Sequence, residues 1–289
     1  MSRTQVHISE SVSRVGAGVT ALLLLLSWAP VSAGEGGSLL YSLRGDPEPG
    51  ALLVGRTAPG ARVYLDDRTL RVDDDGYFAF GFGRDEEGEA RLKLKHDGQS
   101  EEIRLGLVDR EWDIQHVDGV PPETVTPPEE KLDRILREQE QVASARQRDS
   151  DLAHFRDDFQ WPVTGRITGV YGSQRIFNGE PRRPHYGVDI AAPEGTPVTA
   201  PASGEVSLAH KDMFFSGGTL ILDHGYGVSS TYLHLSEILV GEGDQVEQGQ
   251  KIARVGATGR ATGPHLCWRV NWYEQPLDPK TLAGSMPDV

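Results

Sequence analysis

A single cysteine, Cys267, stands in 289 residues, so no internal disulfide framework can hold the fold and the thiol needs another explanation. Positive charge is also scarce: 29 Lys and Arg against 43 Asp and Glu leave a net charge of −14. Phosphate binding needs a basic surface, which excludes nucleic acid and argues against an anionic membrane as partner. Beyond residue 33 no segment is apolar enough to span a bilayer. In place of these features the chain has 34 Gly and 18 Pro, punctuation that favours short strands and tight turns over long helices. The length suits two modest domains plus connectors. Mainly β structure is expected.

Residues 1–33 have a texture of their own. Arg3 and Arg14 flank a polar start, Val15 to Ala29 is apolar around the run Leu22 to Leu26, and Val31-Ser32-Ala33 ends the segment with small residues. That order is expected of a signal peptide removed before Gly34. The apolar stretch is shorter than the ~20 residues a spanning helix requires, and no cysteine follows the cleavage site to take a lipid. The expected product is exported, periplasmic or envelope-associated, with no integral membrane segment after cleavage.

Residues 34–118 read as a β-sandwich domain of immunoglobulin-like kind. Ala61-Arg62-Val63-Tyr64-Leu65, Tyr77-Phe78-Ala79-Phe80 and Arg91-Leu92-Lys93-Leu94 are strand-like, and Asp73-Asp74-Asp75-Gly76 and Asp97-Gly98 are turns. The Asp cluster lacks the ligand spacing of a calcium loop and reads as a hairpin turn. Gly55 to Ala61 resembles immunoglobulin-like modules of bacterial surface proteins. Residues 119–158 read as a linker opened by Pro121-Pro122 and carrying a charged α-helix to about Ser150. Thr126-Pro127-Pro128-Glu129 has the form of a capping box, and Leu132, Ile135, Leu136 and Val142 give a thin apolar stripe. No chemistry is expected of this helix.

Residues 159–289 read as an antiparallel, barrel-like β domain. Thr219 to Leu222 and Val228 to Leu233 flank Asp223-His224-Gly225-Tyr226-Gly227 as a hairpin, and Gly243 to Ile252 has turn-strand-turn texture. The latter also resembles lipoyl-carrier hairpins, but its only lysine, Lys251, lies beside Ile252 and not at a hairpin tip. Three of the nine histidines sit here beside other metal-compatible side chains. In His185-Tyr186-Gly187-Val188-Asp189, Gly187 is expected to let the backbone turn so that His185 and Asp189 reach one ion. H-x-x-x-D alone is a weak signal and more often a hydrogen-bonded pair. If 265–270 is a strand, its period of two puts His265 and Cys267 on one face and Leu266, Trp268 and Val270 on the other. Imidazole and thiolate both bind zinc, whereas a cysteine on the opposite face would simply be a small buried hydrophobe. His234 closes an expected strand. His7, His96, His116 and His154 lie outside this domain, His210 is ambiguous, and His224 is expected in a turn, tying up local backbone.

Three motifs in register now carry a resemblance. Arg183-Pro184-His185-Tyr186-Gly187-Val188-Asp189, Tyr232-Leu233-His234-Leu235-Ser236 and Gly256 to Leu266 are similar to the lysostaphin-type (LytM-like) zinc metallopeptidases of bacterial cell-wall peptidoglycan, over roughly residues 160–281. The resemblance implies one Zn2+ per chain held by His185, Asp189 and the residue at position 267, with His234 and His265 as the catalytic histidines. It implies peptidoglycan peptides as substrate, with other cell-wall enzymes or envelope proteins as further partners. Position 267 departs from it, because the family's third ligand is the second histidine of an H-x-H pair. Thiolate gives zinc more charge than imidazole and makes it a weaker Lewis acid. Two functions follow: a zinc endopeptidase that cuts peptide cross-links, or a metal-free module that binds cell-wall peptide or activates another hydrolase. A purely adhesive protein would leave the histidine constellation without a cause.

Overall fold

The computed structural model describes residues 37–117 and 129–287. The expected signal peptide and the Pro121-Pro122 linker lie outside the described residues. Ser38–Val289 forms one compact unit. Its first strands are β1 (Leu40–Arg44), β2 (Leu52–Thr57), β3 (Arg62–Leu65), β4 (Arg68–Leu70), β5 (Tyr77–Gly81), β6 (Glu89–His96) and β7 (Gln99–Gly106). They pair antiparallel in two sheets, in the orders β1-β2-β5 and β4-β3-β6-β7. Alternation sends Val63, Leu92 and Leu94 from one sheet and Leu53, Phe78 and Phe80 from the other into a shared core. In the Asp73 turn the carboxylate accepts the Asp75 and Tyr77 backbone N–H groups and pairs with Arg156.

β8 (Ile114–Val117) precedes α1 (Leu132–Arg146), which a single 3-10 turn, Glu129–Lys131, leads into. The helix cap is Lys131, with no side-chain capping bond, and the capping box expected from Thr126 lies mostly outside the described residues. The stripe is corrected. Leu132 and Leu136 are exposed, and the face that packs is Ile135, Val142 and Ala145, with Glu138 buried among them. Short Ala145 lets the helix approach a sheet surface that four leucine-sized residues could not.

The rest is strand-rich: β9 (Arg166–Gly169), β10 (Gln174–Phe177), β11 (Glu180–Pro181), β12 (Val188–Ala191), β13 (Pro197–Thr199), β14 (Gly204–Met213), β15 (Gly217–Gly225), β16 (Val228–Leu235), β17 (Glu237–Ile238), β18 (Gln245–Val246), β19 (Lys251–Arg254), β20 (His265–Trp272) and β21 (Gln275–Leu277), then the short α2 (Lys280–Ala283). The main sheet runs β18-β14-β15-β16-β20-β12-β9, with β21 beside β20, and the pairs in it are antiparallel. A small sheet, β13-β19-β17, supplies Val198, Ile252 and Ala253 to the same core as Val188, Ile190, Leu220, Tyr232 and Trp268. The expected hairpin is β15-β16, with Tyr226 and Gly227 both at positive φ as a two-residue turn demands. The opposite face of the main sheet carries Leu208, Ile221, Thr231, Leu233, Cys267 and Arg269, which the strand pairings set side by side. Against its Leu208–Ile221 end α1 packs Val142 and Ala145. The remainder of that face is the site.

Candidate metal centre

Register alone brings two ligands together. Asp189 on β12 and Cys267 on β20 are direct cross-strand partners, so their side chains stand on the same face. Cys267 is buried, as is the Leu266-Trp268-Val270 set facing the other way. His185 lies just ahead of β12 and folds back onto this pair. Its Nε2 is 3.2 Å from Asp189 Oδ1 and 3.5 Å from Cys267 Sγ. The donor atoms of His185, Asp189 and Cys267 all fall within 4.8 Å of one another.

Gly187 acts differently from the expected turn: it is not among the residues with positive φ. A Cβ there would lie 2.7 Å from both Arg269 Cγ and the Trp268 carbonyl oxygen and 3.3 Å from Cys267 Sγ. The glycine is needed for close approach of the strands. Gly169, opposite Asp189 on β9, leaves space in the same way, since a Cβ would sit 2.4 Å from Asp189 Oδ2.

The three donors suit a zinc ion. Asp189 Oδ1 is buried and faces His185 Nε2 at 3.2 Å, an arrangement in which a cation would take the place of the proton between them. His185 Nδ1 lies 3.3 Å from the Val170 carbonyl, which commits that nitrogen as the N–H and leaves the Nε2 lone pair for metal. Without metal, burial lowers the His185 pKa, but the bonds to Asp189 and Cys267 outweigh burial and push it up to about 10. Burial likewise opposes ionisation of Asp189, and His185 overcomes it, holding the carboxyl below its ordinary value. A His185–Asp189 pair of this kind is what an ion replacing the shared proton would stabilise.

His234 and His265 stand at the rim with rings 4.7 Å apart, and His265 Nε2 is 3.9 Å from Asp189 Oδ1. Strict alternation along β16 would turn His234 to the core with Tyr232. Instead the residue adopts φ of 66°, a left-handed backbone that carries its ring to the side of His265. Such strain in a non-glycine residue is sustained by its surroundings. Here the His234 N–H donates to Ser216 O and the ring Nδ1 donates to Thr258 O. Thr258 is held in turn, accepting the Gly218 N–H and donating to Leu235 O. The His265 ring donates through Nδ1 to Gly263 O. Both histidines therefore keep Nε2 as a free acceptor. Burial, only partly offset by the Thr258 bond, lowers the His234 pKa and keeps that ring neutral.

All five site residues expected from the sequence converge. The other histidines in this region do not. His224 is fully buried within β15, not in a turn: Nδ1 donates to Ser203 O and Nε2 accepts from Ser230. His210 Nδ1 accepts the Asp212 N–H. Thr258 lay inside a quoted motif and Gly169 had no sequence signal at all.

A mainly β protein with a three-donor cluster and two flanking histidines has the donor set of a single-metal hydrolytic site. Residues 183–279 match the family model described as peptidase family M23. A solved chain from Pseudomonas aeruginosa described as a peptidase M23 is 31% identical, with 83% of this chain and 96% of that one covered and a TM-score of 0.63. The chain belongs to peptidase family M23. Peptidoglycan DD-endopeptidase ShyB of Vibrio cholerae is 40% identical over 117 residues, which are 40% of this chain and 24% of that protein. The DD-carboxypeptidase/endopeptidase Mpg of Neisseria meningitidis is 39% identical over 127 residues, 44% of this chain and 29% of its own length. The chain thus spans about a quarter of the length of these curated relatives.

Proposed function

We propose that the chain is a zinc-dependent endopeptidase that hydrolyses peptide cross-links of peptidoglycan outside the cytoplasm. The observation that carries this reading is the donor set itself: His185, Asp189 and Cys267 converge while His234 and His265 present free Nε2 atoms beside them. Family M23 membership and relatives named for peptidoglycan cleavage support the substrate. His185 Nε2, Asp189 Oδ1 and Cys267 Sγ would hold the metal. Zinc, when bound, supplies a polarised carbonyl and a water of lowered pKa.

The chain's own groups do the rest. His265 Nε2 accepts the proton of the attacking water and returns it to the departing amine as the C–N bond breaks, while the neutral His234 Nε2 accepts a hydrogen bond that orients the water. The carbonyls of Gly263 and Thr258 fix both tautomers before substrate arrives, so no reorganisation is needed during the step. The Arg269 Nε–H donates to Cys267 Sγ at 3.5 Å and offsets part of the charge that distinguishes thiolate from imidazole.

Cys267 also favours a second reading, a metal-free module that binds cell-wall peptide or activates another hydrolase. Elemental analysis of protein purified without chelating resin separates the two. We expect about one zinc per chain in wild type and in Cys267→His, and a clear loss in Cys267→Ser, together with soluble products from peptidoglycan digests. Wild-type protein that takes up no zinc when incubated with the metal would establish the second reading.

A further inference from the structure

In this acidic chain the sheltered arginines have carboxylate partners: Arg84 pairs with Asp85, Arg110 with Asp278 and Arg156 with Asp73. Around the metal centre the half-buried Arg146 and Arg269, and the exposed Arg183 close in sequence to His185, do not. Arg269 projects from β20 two residues beyond Cys267 and on the same face. Arg183 precedes His185 and lies 5.3 Å from the centre of the Tyr186 ring. Arg146, the last residue of α1, reaches down to Thr231, the strand partner of Arg269, with Nη2 3.3 Å from Thr231 Oγ1. Arg269 donates Nε–H to Cys267 Sγ, none of the three has a carboxylate partner among the described residues, and the half-buried Arg146 leaves Nε with no hydrogen-bond partner there.

Two half-buried guanidiniums, Arg146 and Arg269, that meet at the paired strand positions Thr231 and Arg269 with no carboxylate beside them mark a place that suits an anion. Burial and the fields of Arg269 and Arg183 push the Arg146 pKa down to about 9, so the group stays cationic at neutral pH at a cost to the fold. Cys267 and Asp189 lie nearby, and both would be taken up as ligands once a metal binds.

We propose that Arg146, Arg183 and Arg269 form an anion subsite that takes a free carboxylate of the peptide substrate. This deepens the peptidase reading and rests on it for the identity of the substrate. It makes α1, which lies outside the family match at 183–279, part of substrate recognition. A fork of planar guanidiniums suits a carboxylate in a bidentate pose and rejects an amide, which is neutral and offers an N–H where only acceptors are wanted. Peptides whose free carboxylates are amidated should therefore bind poorly.

The test uses the full, zinc-loaded chain and two fluorescent cross-linked stem peptides, identical except that one has free carboxylates and the other is amidated. Binding is read by anisotropy and cleavage by kcat and KM. We expect wild type to favour the free acid by about tenfold or more in Kd and in KM. Arg146→Gln and Arg183→Gln should each bring the ratio toward one, and Arg146→Lys should restore part of it. Equal binding of the two peptides by wild type, binding of neither, or an unchanged ratio in both glutamine variants overturns the subsite. Discrimination in binding without cleavage of either peptide leaves the subsite standing and overturns the peptidase reading instead, so the two failures are distinguishable.

Discussion

Asp189 owes its position to a residue that is not there. Gly169 faces it across β9 and β12, and any side chain at that point would run into the carboxylate at 2.4 Å. The ligand would have to swing away from His185 or the edge strand would have to part from its neighbour. Gly169→Ala is therefore expected to weaken zinc binding by about 10- to 100-fold, as for other losses of support behind a ligand, in a competition titration against a chromophoric chelator. An unchanged affinity would show that β9 yields instead. His234 and Thr258 form the complementary case, a strained backbone held by a loop carbonyl. Motif spacing pointed to His185, Asp189, His234, His265 and Cys267, because ligand types at short intervals survive as a readable pattern. Gly169 was silent, because a glycine whose task is to leave space looks like any other glycine.

At the scale of elements, α1 does more than connect. Glu138 is buried and accepts the Phe214 N–H through one oxygen and Arg134 Nε through the other. Phe214 belongs to the β14–β15 loop whose Ser216 carbonyl receives the His234 N–H. The helix thus braces the loop that supports a site histidine. Glu138→Ala would leave that backbone N–H without an acceptor, at a cost of about 1–3 kcal/mol, and faster amide hydrogen exchange at Phe214 is the expected signature. Exchange equal to wild type would mean that the loop stands without the helix. The helix itself was legible from Pro and charge pattern. Its packing face was not, since Leu132 and Leu136 are exposed while Glu138 is buried, the reverse of what hydrophobicity alone dictates.

For the molecule as a whole, contacts far apart in sequence hold the early strands to the later sheet. Asp278 is buried and paired with Arg110, its N–H donates to Gly50 O, and Tyr171 donates its hydroxyl to Pro276 O. Inside the main sheet, Tyr232, Ser230, His224 and the Ser203 carbonyl form one buried hydrogen-bonded chain. Burial pushes the His224 pKa down to about 4, with the Ser203 bond only partly opposing it. The folded value lies below the ~6.5 of an unfolded histidine, so the unfolded chain binds the extra proton first. The contribution of neutral His224 is complete above about pH 6.5 and is lost as pH falls through about 4, amounting to at most about 3 kcal/mol. Urea unfolding between pH 7 and 4 should fall less steeply in His224→Gln, whose amide can keep both bonds. Parallel curves for the two proteins would assign the acid sensitivity to other groups.

The sequence by itself determined the β-rich class and the strand pattern around Cys267 and pointed to five candidate site residues, since period-two alternation and short motifs are local properties. Only the tertiary structure decided that β12 and β20 align Asp189 with Cys267, that a left-handed His234 leaves the alternation to meet His265, and that the end of α1 delivers Arg146 to the same face. Those relations depend on register and on contacts between segments up to a hundred residues apart, and no local pattern encodes which partners will be neighbours.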